Sequence, residues 1–328
     1  MPRIITYIDA INEALRQEME RDERVFLLGE DIGLSGGVFK ATAGLLDKFG
    51  EDRVIDSPLA EGIIIGASLG AAMVGWRPVP EIQFADFITP AMEQLIQQAA
   101  KLRYRSAGAF ECPITVRVCC GGGMGSGLYH SQENAGWFVH EPGLKVVMPA
   151  TAYDAKGLLL AAIRDPNPVL YFEHKKLYRG VKDDVPEGDY TVEIGRALVR
   201  REGTDLTVLT YGSMVHTALA SAEEMAKQGV FAEVVDLRTL SPLDKDTILA
   251  SVRKTNKCMI VHEDKRTMGI GAELAAIVSE EAFEDLDGPI MRITGPDVPA
   301  IPFSPALEKA WMVDQPKVVA AMEQLAAY

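Results

Sequence analysis

The stretch Val54-Ile-Asp-Ser-Pro-Leu-Ala-Glu61-Gly62-Ile-Ile-Ile-Gly66-Ala-Ser-Leu-Gly70 decides the fold, because a short apolar strand runs there into a helix carrying a single carboxylate. Ser57 and Pro58 have the chemistry of an N-cap and a first helical residue. Glycines 62, 66 and 70 recur every four positions and line one small-residue face. Another backbone can come close to such a face. A capping box from Ser57 needs Glu or Gln at position 60, where Ala stands, so Glu61 is not explained as a cap. Two readings stay open for it: a solvated Glu attracted to the helix mouth, or a desolvated carboxylate with a raised pKa and a hydrogen-bonding partner.

Outward from this stretch the chain alternates strand and helix. Ile8, Ile11, Leu15 and Met19 share a helical face over residues 6–20, and Val25–Leu28 reads as a buried strand ending at Gly29-Glu30-Asp31. A short helix to Phe49 precedes the Glu61 helix, and a strand from Val79 to Phe84 follows it. Thr89-Pro90 opens a helix over 92–104, and strands at 114–119 and 169–172 flank a helix over 152–163. From His174 to Tyr190 the period lapses into charged, Pro- and Gly-bearing sequence, which places a linker over 181–200 between a domain of 1–180 and one of 201–328. Beyond it the rhythm resumes, with strands at 205–210, 232–236, 258–262 and 290–294 alternating with helices at 214–227, 244–252 and 271–283. Residues 295–305 read as a proline-fixed extended segment, and Pro316 opens a last helix. This alternation predicts α/β domains with largely parallel sheets.

The composition narrows the class. The 328 residues are 48% hydrophobic and 24% charged, and their formal charge of −14 disfavours nucleic acid as a partner, since phosphate contacts need clustered Lys and Arg. A basic protein partner suits this charge, and Glu280, Glu281, Glu284, Asp285 and Asp287 gather it near one helix end. Cys112, Cys119, Cys120 and Cys258 form neither a C-x-x-C pair nor a zinc spacing with His, which reads as reduced cytoplasmic thiols. No signal-peptide pattern opens the sequence, and no apolar run reaches about 18 residues, so no membrane span is expected.

The glycine run 121–127 satisfies neither G-x-G-x-x-G nor G-x-x-x-x-G-K-[ST]. It is either a loop whose backbone must approach a ligand or neighbouring chain, or a flexible turn. His130 follows it in a loop, where both a structural and a functional role remain open. Gln83, Asp86 and Phe87 lie at another strand's C-terminal end, where ligands of open α/β sheets gather. Phe87 is there a stacking platform or a staple onto the next helix. His262 reads as structural or interfacial.

The ordered set Leu28-Gly-Glu-Asp31, Gly37-Val-Phe-Lys40, Asp56-Ser-Pro-Leu-Ala-Glu61, Glu81-Ile-Gln-Phe-Ala-Asp86, Arg103-Tyr-Arg-Ser106, Tyr129-His-Ser-Gln132, Pro142-Gly-Leu-Lys-Val-Val147, Tyr153-Asp-Ala-Lys-Gly-Leu158, Val235-Asp-Leu-Arg-Thr-Leu240 and Gly295-Pro-Asp resembles the β subunits of thiamine-diphosphate-dependent decarboxylases in 2-oxo acid dehydrogenase complexes, end to end. The resemblance implies a transketolase-like pyrimidine-binding domain followed by a transketolase C-terminal domain, and an activity of the acyl-transferring EC 1.2.4 class. It makes Glu61 the group that binds the cofactor's aminopyrimidine and promotes its imino form. It makes Phe87 the pyrimidine-stacking residue, places Gln83 near the substrate, and gives His130 substrate positioning or proton donation as the acyl group passes to lipoyl sulfur. It implies potassium on oxygens of Ile114, Ala162, Ile163, Asp165 and Asn167, a donor set suited to a hard cation.

Branched-chain members are the most similar in Gln83–Phe87 and Leu128–Gln132; pyruvate and acetoin enzymes, and a non-catalytic scaffold subunit, are the alternatives. Gly62, and Cys119 with Cys120, depart from the family's usual residues. The Gly-Asp-Gly motif that holds diphosphate and Mg2+ in this cofactor class does not occur in the chain. The resemblance therefore implies an α subunit in an α2β2 heterotetramer that supplies it, and a lipoyl-bearing acyltransferase core docking through a small basic subunit-binding domain.

Overall fold

The computed structural model describes residues 3–328. Its first sheet has seven strands in the order Thr239–Ser241, Lys145–Val147, Val169–His174, Thr115–Cys120, Arg77–Ile82, Val25–Gly29, Val54–Asp56. All are parallel except the edge strand Thr239–Ser241, which runs antiparallel to Lys145–Val147. The second sheet orders Met291–Gly295, Cys258–Lys265, Leu206–Thr210, Ala232–Asp236, Leu198–Arg201, with only the last strand antiparallel. Strands buried on both faces carry near-continuous apolar runs, which is why Val25–Gly29 and Leu206–Thr210 were legible without alternation.

The first long helix, Tyr7–Arg21, is set by a reciprocal capping box in which Thr6 Oγ1 accepts from the Asp9 amide (3.2 Å). Its Ile8, Ile11, Leu15 and Met19 are buried as the period requires, packed with helix Ala152–Arg164 on one face of the first sheet. One apolar core covers the opposite face and continues through Leu209, Tyr211, Val235 and Leu240 onto the second sheet, and helices Met214–Ala226 and Gln315–Ala326 close the far side.

Four local expectations are corrected. The Glu61 helix starts at Glu61, not Pro58: the Ser57 amide donates to Gly29 O (2.9 Å), which keeps Ser57 extended, and Ala60 takes the N-cap place with no side-chain cap. The strand expected to reach Phe84 ends at Ile82, which releases Gln83 and Phe84 into the connection. The helix expected to open at Thr89-Pro90 is part of a helical run from Ala85 to Arg105, wound tightly as 3-10 turns around Pro90 and widely as π turns over Glu93–Ala99. Within the segment read as structureless, Lys182–Asp184 pairs antiparallel with Ile4–Thr6, and Lys156 Nζ is held by Glu13 (2.7 Å) and three carbonyls of 186–188.

Candidate active site

The site is assembled along the C-terminal edge of five adjacent strands, where parallel sheets present their loops. Strand Val54–Asp56 delivers Glu61, Val25–Gly29 delivers Glu30, Arg77–Ile82 delivers Gln83 and Phe84, Thr115–Cys120 delivers the glycine loop and His130, and Val169–His174 delivers Lys175.

Glu61 is half-buried, with exposed Leu59, Ile63 and Leu34 in the same and neighbouring segments. Glu30 is the carboxylate that sequence reasoning left without a role, although it stands inside the quoted Leu28–Asp31 motif. Burial, and next the charge of Glu61, push its pKa up to about 7, while a hydrogen bond from the Ala60 backbone holds it back. Its Oε1 is buried without a protein partner. The Gln83 amide donates to Glu30 O (3.0 Å) and so braces the carboxylate's own backbone.

Next to Gln83 in the chain, Phe84 belongs to an aromatic wall. Phe84 and His130 meet edge to face at 4.4 Å between centroids, and Phe87 meets His130 at 5.3 Å in the same manner. Phe87 thus packs against the His130 ring. Asp86 accepts from the Gln132 amide (3.2 Å) and has its pKa raised by burial.

The glycine loop has a defined task. Gly122 N donates to Glu263 Oε1 (2.6 Å), and Gly123 N and Gly125 N donate to Glu308 Oε1 (3.0 and 3.1 Å), so backbone amides here cradle two carboxylates from the second half of the chain. A Cβ at Gly121, whose φ is +90°, would lie 2.0 Å from His174 Nε2, which itself pairs with Glu263 Oε2 at 3.0 Å. Glu308 sits on helix Pro305–Trp311, which lay unrecognised beyond the proline-rich segment. His262 is structural: its Nε2 accepts from the Gly271 amide (3.2 Å), and burial drives its pKa down to about 4.

A model of the transketolase pyrimidine-binding domain matches residues 3–181, and one of the transketolase C-terminal domain matches 195–318. The 2-oxoisovalerate dehydrogenase subunit beta of Bacillus subtilis (strain 168) is 57% identical over 325 residues, 99% of each chain. The chain belongs to the 2-oxo acid dehydrogenase β-subunit family. The pyruvate dehydrogenase E1 component subunit beta of the same organism is 49% identical over 96% of each chain, and that of Staphylococcus epidermidis is 45% identical over the same share. Among solved structures, a split-gene transketolase in an inactive β4 tetramer superposes with a TM-score of 0.81 at 24% identity over 98% of each chain, which shares the fold.

The family's departures have local reasons. A Cβ on Gly62 would lie 3.0 Å from Pro90 O, a tight contact that favours glycine beside the turns around Pro90. Cys119 and Cys120 are buried, Cys119 Sγ lies 2.9 Å from Tyr178 OH, and burial raises both thiol pKa values, which leaves them inert.

The family's cofactor fits this edge in part. A half-buried carboxylate, a second one with an unpartnered oxygen, and an aromatic wall suit an aminopyrimidine ring. Among the described residues no group of three or more His, Cys, Asp or Glu is arranged to hold a metal. At the corner expected for potassium, Ile163 O accepts from Arg77 (2.8 Å), Asn167 Oδ1 from Arg103 (3.1 Å), Ala162 O from the Asp165 amide (3.2 Å), Ile114 O from the Val169 amide (3.0 Å), and Asp165 pairs with Lys145. The donors are those of a hard-cation shell, and each carbonyl keeps a second lone pair. Any added ion shares these oxygens with three side-chain cations.

Proposed function

We propose that this chain is the β subunit of an α2β2 decarboxylase that oxidatively decarboxylates a branched-chain 2-oxo acid of the 2-oxoisovalerate type and passes the acyl group to the lipoyl group of an acyltransferase. The observation that carries the reading is the 57% identity to a 2-oxoisovalerate dehydrogenase β subunit against 49% to a pyruvate dehydrogenase β subunit of the same organism. Thiamine diphosphate, when bound, supplies the nucleophilic carbon and electron sink for decarboxylation. Glu61 then hydrogen-bonds the aminopyrimidine and sets its tautomer, beside Glu30, whose pKa is raised by burial and next by the charge of Glu61. Phe87 forms the wall against which the ring stacks, Gln83 steadies Glu30 beside the substrate, and His130 positions the acyl group and donates a proton as it leaves for sulfur.

The α subunit supplies the diphosphate and Mg2+ ligands. We retain potassium on Ile114, Ala162, Ile163, Asp165 and Asn167 in competition with Arg77, Arg103 and Lys145; equal melting temperatures in KCl and NaCl contradict it. We retain a division into 1–180, linker 181–200 and 201–328; the family spans 3–181 and 195–318 break within that linker. Four buried free cysteines support a reducing, cytoplasmic location, which a native disulfide in the purified protein would contradict. Among the described residues no helix is long and apolar enough to cross a membrane.

The substrate assignment is tested by assembling the chain with its α partner and assaying a panel of 2-oxo acids. A kcat/KM for 2-oxoisovalerate at least about tenfold above that for pyruvate is expected, the scale of an added apolar contact. Equal or better use of pyruvate selects the pyruvate reading.

The acyltransferase docks, in this account, on the acidic end of helix Ile270–Glu281. Glu281 and Asp285 are tied to Lys245 (2.9 Å) and Arg253 (3.2 Å), whereas Glu280, Glu284 and Asp287 make no ion pair among the described residues and flank in sequence Phe283, which is 71% exposed. Rim charges of this kind mainly speed encounter. Association with the basic subunit-binding domain should slow steeply between roughly 50 and 500 mM salt while dissociation changes less. An association rate indifferent to salt, or to neutralising Glu284 and Asp287, reduces the patch to a solvated face.

A further inference from the structure

Lys175 is 2% exposed and has no carboxylate partner among the described residues. Its Nζ donates to Gly121 O and to His130 O, both at 2.7 Å. The same nitrogen lies 5.5 Å from the centroid of the Phe84 ring, whose other neighbours are His130, Phe87 and Phe39. Its backbone amide is fixed on Cys120 O (3.0 Å), so the stem is anchored on the strand that begins the loop. The ammonium thus bonds the first residue of the glycine loop and the histidine that ends it, and its remaining donor faces an aromatic ring.

A buried ammonium is costly unless its donors are met, and two carbonyls with a ring face satisfy it without neutralising it. A methylene chain of the same length would fill the space equally well, so packing alone does not call for a charge here.

We propose that Lys175 is a positioning residue for acyl transfer: its ammonium closes the 121–130 loop across Gly121 and His130 and thereby holds the His130 ring against Phe84 and Phe87. This rests on the role proposed for His130. Without the clip, both carbonyls lose this donor, and the loop is left to its backbone bonds at Gly121 and His130, the Gln132 side chain on Leu128 O, and its contacts to Glu263 and Glu308.

The test uses the assembled αβ enzyme and three readouts: hydrogen exchange of residues 121–131, decarboxylation with an artificial electron acceptor, and acylation of a lipoyl domain. Lys175→Met should speed exchange in the loop and lower the acylation kcat by about 10- to 100-fold, the scale of a misplaced catalytic group, with a smaller loss in decarboxylation. His130→Ala is run alongside. If it impairs both reactions equally, the role of His130 fails; if it selectively impairs acylation and Lys175→Met leaves acylation and exchange unchanged, the clip itself is overturned. Should the Met variant not assemble, Lys175→Arg replaces it. Arg keeps the charge and donors, so parent-like exchange and acylation within a few-fold support the proposal, and a loosened loop with normal acylation overturns it.

Discussion

Glu61→Gln is expected to lower turnover of the assembled enzyme by about two orders of magnitude or more, the usual scale of a lost acid-base contribution, while leaving assembly intact. The amide keeps the shape and the helix start, because Ala60 rather than residue 61 occupies the cap position and no side chain caps this helix. It cannot carry the negative charge that is the second cause of the raised pKa of Glu30. The pKa of Glu30, about 7 in the parent, should therefore fall in the variant. Steady-state kinetics with the artificial acceptor measure the first effect, and the pH dependence of stability measures the second. A raised carboxylate pKa in the fold means stability that is complete below the unfolded value and lost as pH rises through about 7, so the Gln variant should lose less on going from acid to neutral pH. Turnover within threefold of the parent returns Glu61 to a solvated helix mouth and leaves the scaffold reading standing.

Arg117→Leu should cause the largest loss of stability of any single substitution considered. The guanidinium is 1% exposed and bonds Glu173 through Nε and Nη2 (2.7 and 2.8 Å) and Glu81 through Nη1 (2.5 Å), in the middle of the first sheet. Tyr178 OH adds a hydrogen bond to Glu173 Oε2 (2.7 Å). Removing Arg117 leaves two buried carboxylates with no cation partner among the described residues, a loss of about 3–5 kcal/mol for breaking a buried ion pair. Burial already raises the pKa of Glu81, so in the variant it takes up a proton. The loss should then be smaller near about pH 5 than near about pH 8, since a carboxylate with a raised folded-state pKa loses its stabilising share as pH rises. Chemical denaturation at both pH values checks this, and a loss below about 1 kcal/mol at the higher pH contradicts it.

Most helices and parallel strands were legible because their signals are local. Ile8, Ile11, Leu15 and Met19 mark a helix at any distance from their partners, and the Leu206–Thr210 run marks a strand buried on both faces. The late start of the Glu61 helix was not legible, because the Gly29 carbonyl that holds Ser57 extended is supplied by another strand. This break of the local rule falls at the site, where propensity commonly yields to function. Phe84 was hidden as the last residue of an expected strand that in fact stops at Ile82. Lys175 and Glu308 had no signal at all: one lay in a charged run, the other past a proline-rich segment, and their partners are 45 or more residues away. The resemblance singled out Glu61, Gln83, Phe87 and His130, and the fold brings the strand ends that carry them together along one edge; the potassium set gathers at a separate corner already shared with Arg77, Arg103 and Lys145.

The central claim is that this chain carries the pyrimidine half of a site whose diphosphate half belongs to a partner. Titration calorimetry of thiamine diphosphate with Mg2+ tests it most directly, first on the purified chain and then on the chain assembled with its α subunit. The account predicts no saturable binding to the chain alone and tight binding once the α subunit is present, with Glu61→Gln weakening the latter. Micromolar, Mg2+-dependent binding to the chain by itself would contradict it.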